Sequence, residues 1–175
     1  MEFSDLLSRR VSIRRYEKTP LTEEEISALL EAAQRSPIGH FDYKNYAIAV
    51  ITNPDILAML AKENQELSGK GDPIYGAPAL FLILRTPEAR DDTAKVNAGI
   101  MAEHIHLKAV DLGLGSLCVY SFIRNLEKQP GYGKYCEALH LPEGYQPIMS
   151  VAVGHTPIPE RSRRLTPRLK VFRFE

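Results

Sequence analysis

The stretch DDTAKVNAGIMAEHIHLKAVDLGLGSLCVY, residues 91–120, decides the fold. Two acidic residues favour a helix start at residue 91, and the apolar pattern predicts a long helix over residues 91–112. Its apolar side chains form a broad stripe of Val96, Ile100, Leu107 and Val110, widened by Met101, Ile105 and Leu112. A helix that is apolar over so much of its circumference packs in the centre of the core or in a subunit interface. Gly113 suits the left-handed position after a helix, and residues 117–120 then predict a strand.

Shorter helices and strands are predicted on both sides of this stretch. A first helix ends near Arg9, a second opens at Thr22 with Glu25 completing a capping box, and a third starts at Pro54. Strands are predicted over residues 46–51, 79–84 and 148–153, the first of them buried on both faces, and a short helix over residues 132–139. The expected fold is mixed α/β, a small sheet flanked by helices, in a single domain of residues 1–175.

The end of the chain, residues 155–175, is predicted to form an extended arm. Three prolines disfavour a helix there, and residues 171–174 have the pattern of an edge strand. An extended arm with Phe172 and Phe174 near its tip buries itself poorly, so we expect it to pair with the sheet of a partner subunit. The arm therefore favours a homodimer.

Composition excludes several classes of protein. The chain has 175 residues, with 22 Lys and Arg against 22 Asp and Glu, so its formal net charge is zero. A general nucleic-acid or anionic-membrane binder would need a basic excess. No apolar run approaches the roughly 18–20 residues of a membrane span, and the N-terminus lacks the pattern of a secretory signal. Cys118 and Cys136 lie outside any CxxC pair, as expected for reduced thiols in a cytoplasmic protein.

Basic residues are nevertheless concentrated at the two ends of the chain. Near the start lie Arg9, Arg10, Arg14, Arg15 and Lys18, and near the end lie Arg161, Arg163, Arg164, Arg168, Lys170 and Arg173. Two basic ends on a neutral chain indicate local anion sites, although solvated arginines on exposed ends would give the same pattern.

The segment Arg10-Val11-Ser12-Ile13-Arg14 is the first candidate site. In an extended segment Arg10, Ser12 and Arg14 point the same way, and two guanidinium groups beside a hydroxyl form a compact phosphate clamp. A solvated basic turn is the alternative interpretation.

Residues 36–40, Ser-Pro-Ile-Gly-His, are the second candidate. Gly39 lets the backbone approach a flat ligand closely, and His40 can hydrogen-bond to such a ligand or stack on it. A plain helix stop explains the same residues without any function.

Other familiar sites are excluded by sequence context. Residues 113–116, Gly-Leu-Gly-Ser, follow a helix and open a strand, whereas a dinucleotide fingerprint follows a strand and opens a helix. No GxxxxGK[ST] loop, GxSxG or HExxH motif occurs. His104 and His106 are two apart on the predicted long helix, so they face different directions and cannot chelate one metal ion. No metal site is predicted.

Taken in chain order, five motifs resemble those of the nitroreductase family of FMN-dependent oxidoreductases. They are Arg10-x-Ser12-x-Arg14 followed by Tyr16, Glu31-Ala32-Ala33 with Ser36-Pro37, Gly76-Ala77-Pro78-Ala79 before a strand, Asn97 followed by residues 113–116, and residues 151–154 before a tail rich in Pro and Arg. The resemblance covers nearly the whole chain. It implies a homodimer of α+β subunits with a mixed, mainly antiparallel sheet and one FMN at each of two interface sites.

The resemblance also implies roles for particular residues. The phosphate and ribityl chain would be bound by Arg10, Ser12 and Arg14, with a further phosphate contact from Arg163 or Arg164. The flavin would be approached from the partner subunit by Pro37, Ile38 and Gly39. The other side of the ring, near its reactive N5, would face the backbone of Val119, Tyr120 and Ser121.

One segment departs from the family pattern P-S-x-x-N-x-Q-P-W. Pro37 is followed here by Ile38, which cannot donate a side-chain hydrogen bond, and His40 or Tyr43 are the candidates to replace the missing Asn. We therefore expect altered contacts to the pyrimidine edge of the flavin. The region of residues 64–75 is also short, which predicts a reduced lid and a more open site.

The activity that the resemblance implies is two-electron reduction of nitroaromatics, quinones or similar planar acceptors, with NADH or NADPH as the reductant. NAD(P)H would reduce FMN and leave before the acceptor takes its place. No dedicated acid or base is evident, so solvent would supply protons. The alternative is a flavin-binding protein with little turnover, acting as a store or sensor. Relatives that dehalogenate substrates or break down flavin resemble this chain less, because their lids are longer.

Overall fold

The computed structural model describes residues 2–128, 138–164, 166 and 168–174. Its helices are α1 (Phe3–Arg9), α2 (Glu23–Gln34), α3 (Pro54–Ser68), α4 (Asp91–Asp111) and α5 (Tyr120–Leu126). Its strands are β1 (Tyr46–Ile51), β2 (Ala79–Arg85), β3 (Gly115–Cys118) and β4 (Gln146–Gly154). Two short 3₁₀ turns, Gly39–Phe41 and Tyr43–Asn45, lead from α2 into β1.

The strands form one sheet in the order β1-β2-β4-β3, in which all neighbouring pairs are antiparallel. This confirms the predicted mixed fold with its mainly antiparallel sheet. The N-terminal segment continues the sheet beyond β3: Ser12 forms an isolated parallel bridge with Ser116, and the N–H of Ile13 donates to the Ser116 carbonyl over 2.9 Å. The edge of β3 is thus covered by the basic segment.

Local capping chemistry sets three of the helix boundaries. The Thr22 hydroxyl accepts from the Glu25 N–H while the Glu25 carboxylate accepts from the Thr22 N–H, as the capping box predicts. The Asn53 side chain caps α3 directly before Pro54. After α4, Gly113 adopts a φ of 73°, in the left-handed region that glycine enters without strain. These three predicted boundaries are confirmed.

The sheet has an apolar core on each of its faces. Helices α2 and α4 cover one face, where Phe81, Ile83 and Val151 are fully buried. Helices α3 and α5 cover the other, which presents Leu80 and Leu82. Because both faces are covered, the central strands are apolar at nearly every position rather than at every second one.

Strand β1 differs from its prediction. The sequence predicts a strand buried on both faces, but β1 lies at the edge of the sheet and only Ile51 is fully buried in it. An edge strand has a neighbour on one side only, so its other side stays open.

The chain after Cys118 also differs. Residues 117–120 predict a strand, whereas Tyr120 begins α5, in which Phe122, Ile123 and Leu126 are buried at helical spacing. The short helix predicted over residues 132–139 falls mostly outside the described residues, as does Cys136.

The predicted apolar stripe of α4 divides into two faces. Its buried face consists mainly of small residues, Ala94, Ala98, Ala102 and Ala109, together with Met101 and Ile105. Val96 is 62% exposed, and Ile100 and Leu107 are only half-buried. The sequence allows the core or a subunit interface as the helix's location. The small residues do pack in the core, whereas Val96, Ile100 and Leu107 point away from this subunit's core.

Residues 168–174 of the predicted arm form no strand here, and their apolar side chains Leu169, Val171, Phe172 and Phe174 are exposed. Pairing of the arm with a partner's sheet stays a prediction. Across the described ranges, no helix has both the length and the apolar character needed to cross a membrane.

Candidate functional site

The basic segment of residues 10–14 is held against β3 by a close backbone approach. A Cβ built on Gly115 would lie 2.8 Å from the Ile13 side chain, so only glycine lets this segment come so near. Ile13 is buried while Ser12 and Arg14 are exposed, as the alternation of an extended segment requires. Within the described part of the chain, the Ser12 hydroxyl has no hydrogen-bond partner. It is free to bind a ligand.

Arg10 is fixed by helix α4. One guanidinium nitrogen of Arg10, Nη1, lies 3.0 Å from Nε2 of His106. A second nitrogen, Nε, lies 4.0 Å from the Glu103 carboxylate, too far for a hydrogen bond. Partial burial raises the pKa of Glu103, and the guanidinium of Arg10 opposes that rise. Arg10 is therefore held by a neutral partner at hydrogen-bond distance, His106, and forms only a long ion pair with Glu103.

Arg14 lies over the ring of Tyr75, with its guanidinium carbon 5.8 Å from the ring centroid. Tyr75 itself is held in a left-handed conformation, with a φ of 56°. The Asp72 carboxylate stabilises this turn by accepting from the N–H groups of Ile74 and Gly76, over 2.8 and 2.6 Å. The loop before β2 thus supplies an aromatic platform beside the basic segment.

The two ends of the chain lie side by side. The Arg163 N–H donates to the Ser8 carbonyl over 2.8 Å, and the hydroxyls of Ser162 and Ser8 are 3.0 Å apart. Arg9 pairs with Glu160 over 2.5 Å. The side chains of Arg163 and Arg164 are exposed and have no partner among the described residues. The structure thereby brings C-terminal arginines to the same edge of the subunit as α1.

The segment after α2 is anchored by a residue of α4 that the sequence analysis treated only as part of a motif. The Oδ1 atom of buried Asn97 accepts from the Gly39 N–H over 3.2 Å, and its Nδ2 donates to the Tyr46 hydroxyl over 2.8 Å. A Cβ on Gly39 would meet only Asn97, at an ordinary 3.9 Å. The Gly39 backbone is therefore accessible from outside.

The neighbours of Gly39 divide between the core and solvent. Pro37 is exposed, whereas Ile38 is buried in the core beneath it. His40 and Phe41 both have positive φ, 57° and 55°, and Phe41 is 84% exposed. Tyr43, one of the two candidates for the missing Asn, donates its hydroxyl to the Ser36 carbonyl over 2.7 Å. His40 has no partner within the described residues.

Helix α4 separates this segment from Arg10. Asn97 and His106 are nine residues apart, or about two and a half turns, so their side chains leave opposite sides of the helix. His104 contacts the Ala32 carbonyl on the Asn97 side, which confirms that the two histidines face different directions. Within one subunit, Arg10 and Gly39 therefore flank α4 rather than face each other.

Of the residues predicted after β3 to face the flavin, Ser121 lines a cavity. The Val119 N–H donates to the Ser150 carbonyl over 2.9 Å, and its carbonyl accepts from the Ser150 hydroxyl over 2.8 Å, so its backbone is already satisfied. Tyr120 and Ser121 are exposed at the start of α5. A cavity of about 440 Å³ opens beside them, lined in part by Ser121, Tyr75, Asp72, Lys70, Arg124 and Lys128. The platform under Arg14 and the start of α5 thus share one cavity.

Two titratable groups near Arg10 are poor proton donors or acceptors at neutral pH. Burial, together with the Arg10 guanidinium, lowers the pKa of His106 from 6.5 to about 4. Burial and the nearby Glu103 raise the pKa of the Cys118 thiol from 9.0 to about 11. Across the described residues no cluster of His, Cys, Asp or Glu is arranged to hold a metal ion.

Sequence reasoning found the basic segment and Gly39 but gave His106 no role beyond structure. A lone histidine on an apolar helix carries no local signal of what it contacts. Its partners, Arg10 and Ser116, come from two other elements.

Comparison with known proteins shows the family of this chain. The model of the nitroreductase family matches residues 7–67 and 40–155. An NADPH-dependent oxidoreductase of Staphylococcus saprophyticus is 24% identical over 183 residues, covering 94% of this chain and 67% of that protein. One from Staphylococcus aureus strain USA300 is 26% identical over 185 residues, covering 94% and 68%.

Solved structures show the same fold. A nitroreductase with bound FMN from Bacteroides fragilis superposes with a TM-score of 0.82 at 19% identity, covering 99% of this chain and 100% of that one. A second, from Desulfitobacterium hafniense and also with bound FMN, gives 0.83 at 22% identity, covering 97% and 96%. The resemblance seen in the sequence is confirmed: this chain belongs to the nitroreductase family.

Proposed function

We propose that this chain binds FMN between two subunits and uses it to reduce nitroaromatics, quinones or similar planar acceptors, with NADH or NADPH as the reductant. Membership of the nitroreductase family makes the chain an FMN-dependent NAD(P)H oxidoreductase. The acceptors, the residues and the dimer are our proposal.

The observation that best supports the proposal is the donor set around residues 10–14. Arg10 is positioned by His106 with only a long ion pair to Glu103, the Ser12 hydroxyl is free within the described residues, and Arg14 is exposed beside them. Guanidinium and hydroxyl donors on one segment suit a phosphate dianion. Arg163 and Arg164, on the neighbouring C-terminal segment, would add to the positive electrostatic potential around residues 10–14. These residues fit the phosphate end of FMN.

The place of Gly39 supports a site shared by two subunits. Arg10 and Gly39 lie on opposite sides of α4, so one subunit cannot close both around one ligand. The outer face of α4, with Val96, Ile100 and Leu107, is apolar and open. A symmetric contact through that face would let Gly39 of the partner subunit approach the flavin held by Arg10. We propose this homodimer, with Pro37 and His40 of the partner subunit beside its Gly39.

Acceptors would enter through the cavity beside Ser121. Its volume of about 440 Å³ lies within the range of small-molecule sites. Bound FMN would supply the redox chemistry, accepting a hydride from NADH or NADPH and passing two electrons to the acceptor. The start of α5 and Tyr75 would shape the space over the ring. The lowered pKa of His106 and the raised pKa of Cys118 make both groups poor proton donors at neutral pH, and we propose that solvent supplies the protons.

The first test is flavin binding by the purified protein and by Arg10→Ala. Losing a charged hydrogen bond costs about 1.5–3 kcal/mol, so the Kd for FMN should rise by about 10- to 150-fold. The measurement is quenching of flavin fluorescence on titration. An unchanged Kd would remove Arg10 from the phosphate site.

The second test is turnover. Under anaerobic conditions NADH or NADPH should bleach the bound flavin, and addition of a quinone or nitroaromatic should restore its colour. A flavin that binds but never bleaches with either nucleotide would favour the alternative, a flavin store or sensor on the same fold.

A further inference from the structure

A buried polar chain connects the basic segment to the body of the subunit. His106 is 2% exposed and Ser116 is 1% exposed. The Nδ1 atom of His106 lies 2.5 Å from the Ser116 hydroxyl, while its Nε2 faces Arg10. Ser116 is also the residue whose backbone pairs with Ser12 and Ile13. One contact network therefore fixes both the backbone and the guanidinium of the segment.

The proton positions in this network follow from chemistry. A guanidinium can only donate, so Nε2 of His106 must accept and the ring proton must sit on Nδ1. That proton is donated to the Ser116 oxygen, and the Ser116 hydroxyl points back to the His106 carbonyl at 3.4 Å. Every group in the network then has a partner of the right kind.

A neutral imidazole has one advantage over a carboxylate in this place. A carboxylate would also hold Arg10, but it would neutralise the guanidinium and repel a phosphate. Burial and the Arg10 charge lower the pKa of His106 to about 4, so at neutral pH the imidazole adds no negative charge beside the guanidinium, whose remaining N–H groups can still donate. The nearest carboxylate, that of Glu103, is half-exposed and 4.0 Å away.

We propose that His106 is a positioning residue, which accepts a hydrogen bond from Arg10 and thereby aims the guanidinium at the phosphate of FMN. Ser116 fixes the ring tautomer that this role requires. The inference deepens the proposed function and rests on the assignment of Arg10 to the phosphate.

The test compares the affinities for FMN and riboflavin, which differ only in the phosphate. His106→Phe keeps a ring of similar size but removes the acceptor, whereas His106→Gln places an amide oxygen near the position of Nε2. We expect His106→Phe to raise the Kd for FMN about tenfold and to leave riboflavin binding unchanged, and His106→Gln to stay within about threefold of wild type for both. His104→Phe, on the opposite side of α4, is the matched control and should change neither.

A double-mutant cycle shows whether His106 acts through Arg10. Once Arg10→Ala is present, adding His106→Phe should weaken FMN binding by no more than about twofold further. Should His106→Phe fail to fold, His106→Asn replaces it, because its shorter amide keeps a polar group near Nδ1 but cannot reach Arg10. We expect His106→Asn to lose FMN affinity as His106→Phe would.

Two results would overturn the inference. Equal losses of FMN and riboflavin affinity in the His106 variants would mean that the residue only supports the fold. Full additivity with Arg10→Ala would mean that it acts independently of the guanidinium. Failure of the proposed function looks different, since Arg10→Ala alone would then leave the Kd for FMN unchanged.

Discussion

The two sides of helix α4 hold chemically different groups. On one side His106 holds a cation, Arg10, at a partly exposed position without adding a negative charge beside it. On the other side Asn97 holds an uncharged backbone, that of Gly39, above buried Ile38. The first suits a phosphate and the second a flat ring. Arg10 and Gly39 therefore face away from each other across one helix, and this difference supports the proposal that two subunits share each site.

The largest expected change is the recovery of activity when two weakly active variants are mixed, which tests whether each site is shared by two subunits. Arg10→Ala damages one proposed half-site and Gly39→Leu the other, so each homodimer should have little activity when the FMN concentration is held near the wild-type Kd. After subunit exchange, half of the dimers are mixed and each contains one intact site, so activity should return to about a quarter of wild type. The measurement is NAD(P)H-driven quinone reduction. Mixing Arg10→Ala with Arg14→Ala is the control, because both changes lie in the same half-site and no activity should return.

The variant Asn97→Leu tests the role of the hydrogen bond between Asn97 and the Gly39 backbone. This change leaves the Gly39 N–H without its acceptor and should cost about 1–3 kcal/mol of stability, which lowers the melting temperature by about 2–4 °C per kcal/mol. FMN and riboflavin affinities should fall by the same factor, because the ring and not the phosphate is affected. Tyr46→Phe removes only the other Asn97 contact and should leave flavin affinity unchanged. A loss confined to FMN would contradict the division between the two sides.

The buried imidazole of His106 should make the stability of the fold sensitive to acid. Its pKa is lowered from 6.5 to about 4, so between these values the unfolded chain binds a proton that the folded chain does not. The free energy of unfolding should therefore fall as pH drops from 6.5 to 4, with a slope of at most about 1.4 kcal/mol per pH unit from this group. His106→Gln lacks the titration, and its melting temperature should fall less over that window. Parallel curves for the two proteins would show that His106 does not titrate there.

The smallest effect concerns the charge of the acceptor. Lys70, Arg124 and Lys128 line the cavity beside Ser121, and the carboxylate of Asp72 already accepts two backbone N–H groups. We expect 4-nitrobenzoate to have a lower KM than uncharged 4-nitrobenzamide. Arg124→Ala should reduce this preference by about two- to fivefold, the worth of one exposed charge. A preference that persists at high salt would point to contacts other than these cations.

Much of the fold was predictable because its signals are local. The capping box at Thr22, the glycine after α4 and the apolar runs of the strands each act over a few residues. Helix α5 escaped prediction because an apolar strand runs directly into it without a turn residue. The position of β1 at the edge of the sheet was not predicted, because an apolar run of residues has the same pattern in an edge strand as in a central strand.

The candidate site was predictable in its residue types but not in its geometry. Arg10, Ser12 and Arg14 were found because arginine and hydroxyl at alternate positions have an evident chemistry. The roles of His106 and Asn97 were not, since each depends on partners distant in the chain. The part of each proposed site residue in binding FMN stays a prediction.

The sequence by itself determined the family, the starts of α2 and α3, the end of α4 and the kinds of side chain available for an anionic, planar cofactor. These follow from residue chemistry and from spacings of a few positions along the chain. Only the tertiary structure decided that Arg10 is held by a neutral histidine and that Gly39 lies on the far side of α4. The reason is physical: hydrogen-bond partners and the sides of a helix are set by how elements pack, and packing joins residues that no local pattern connects.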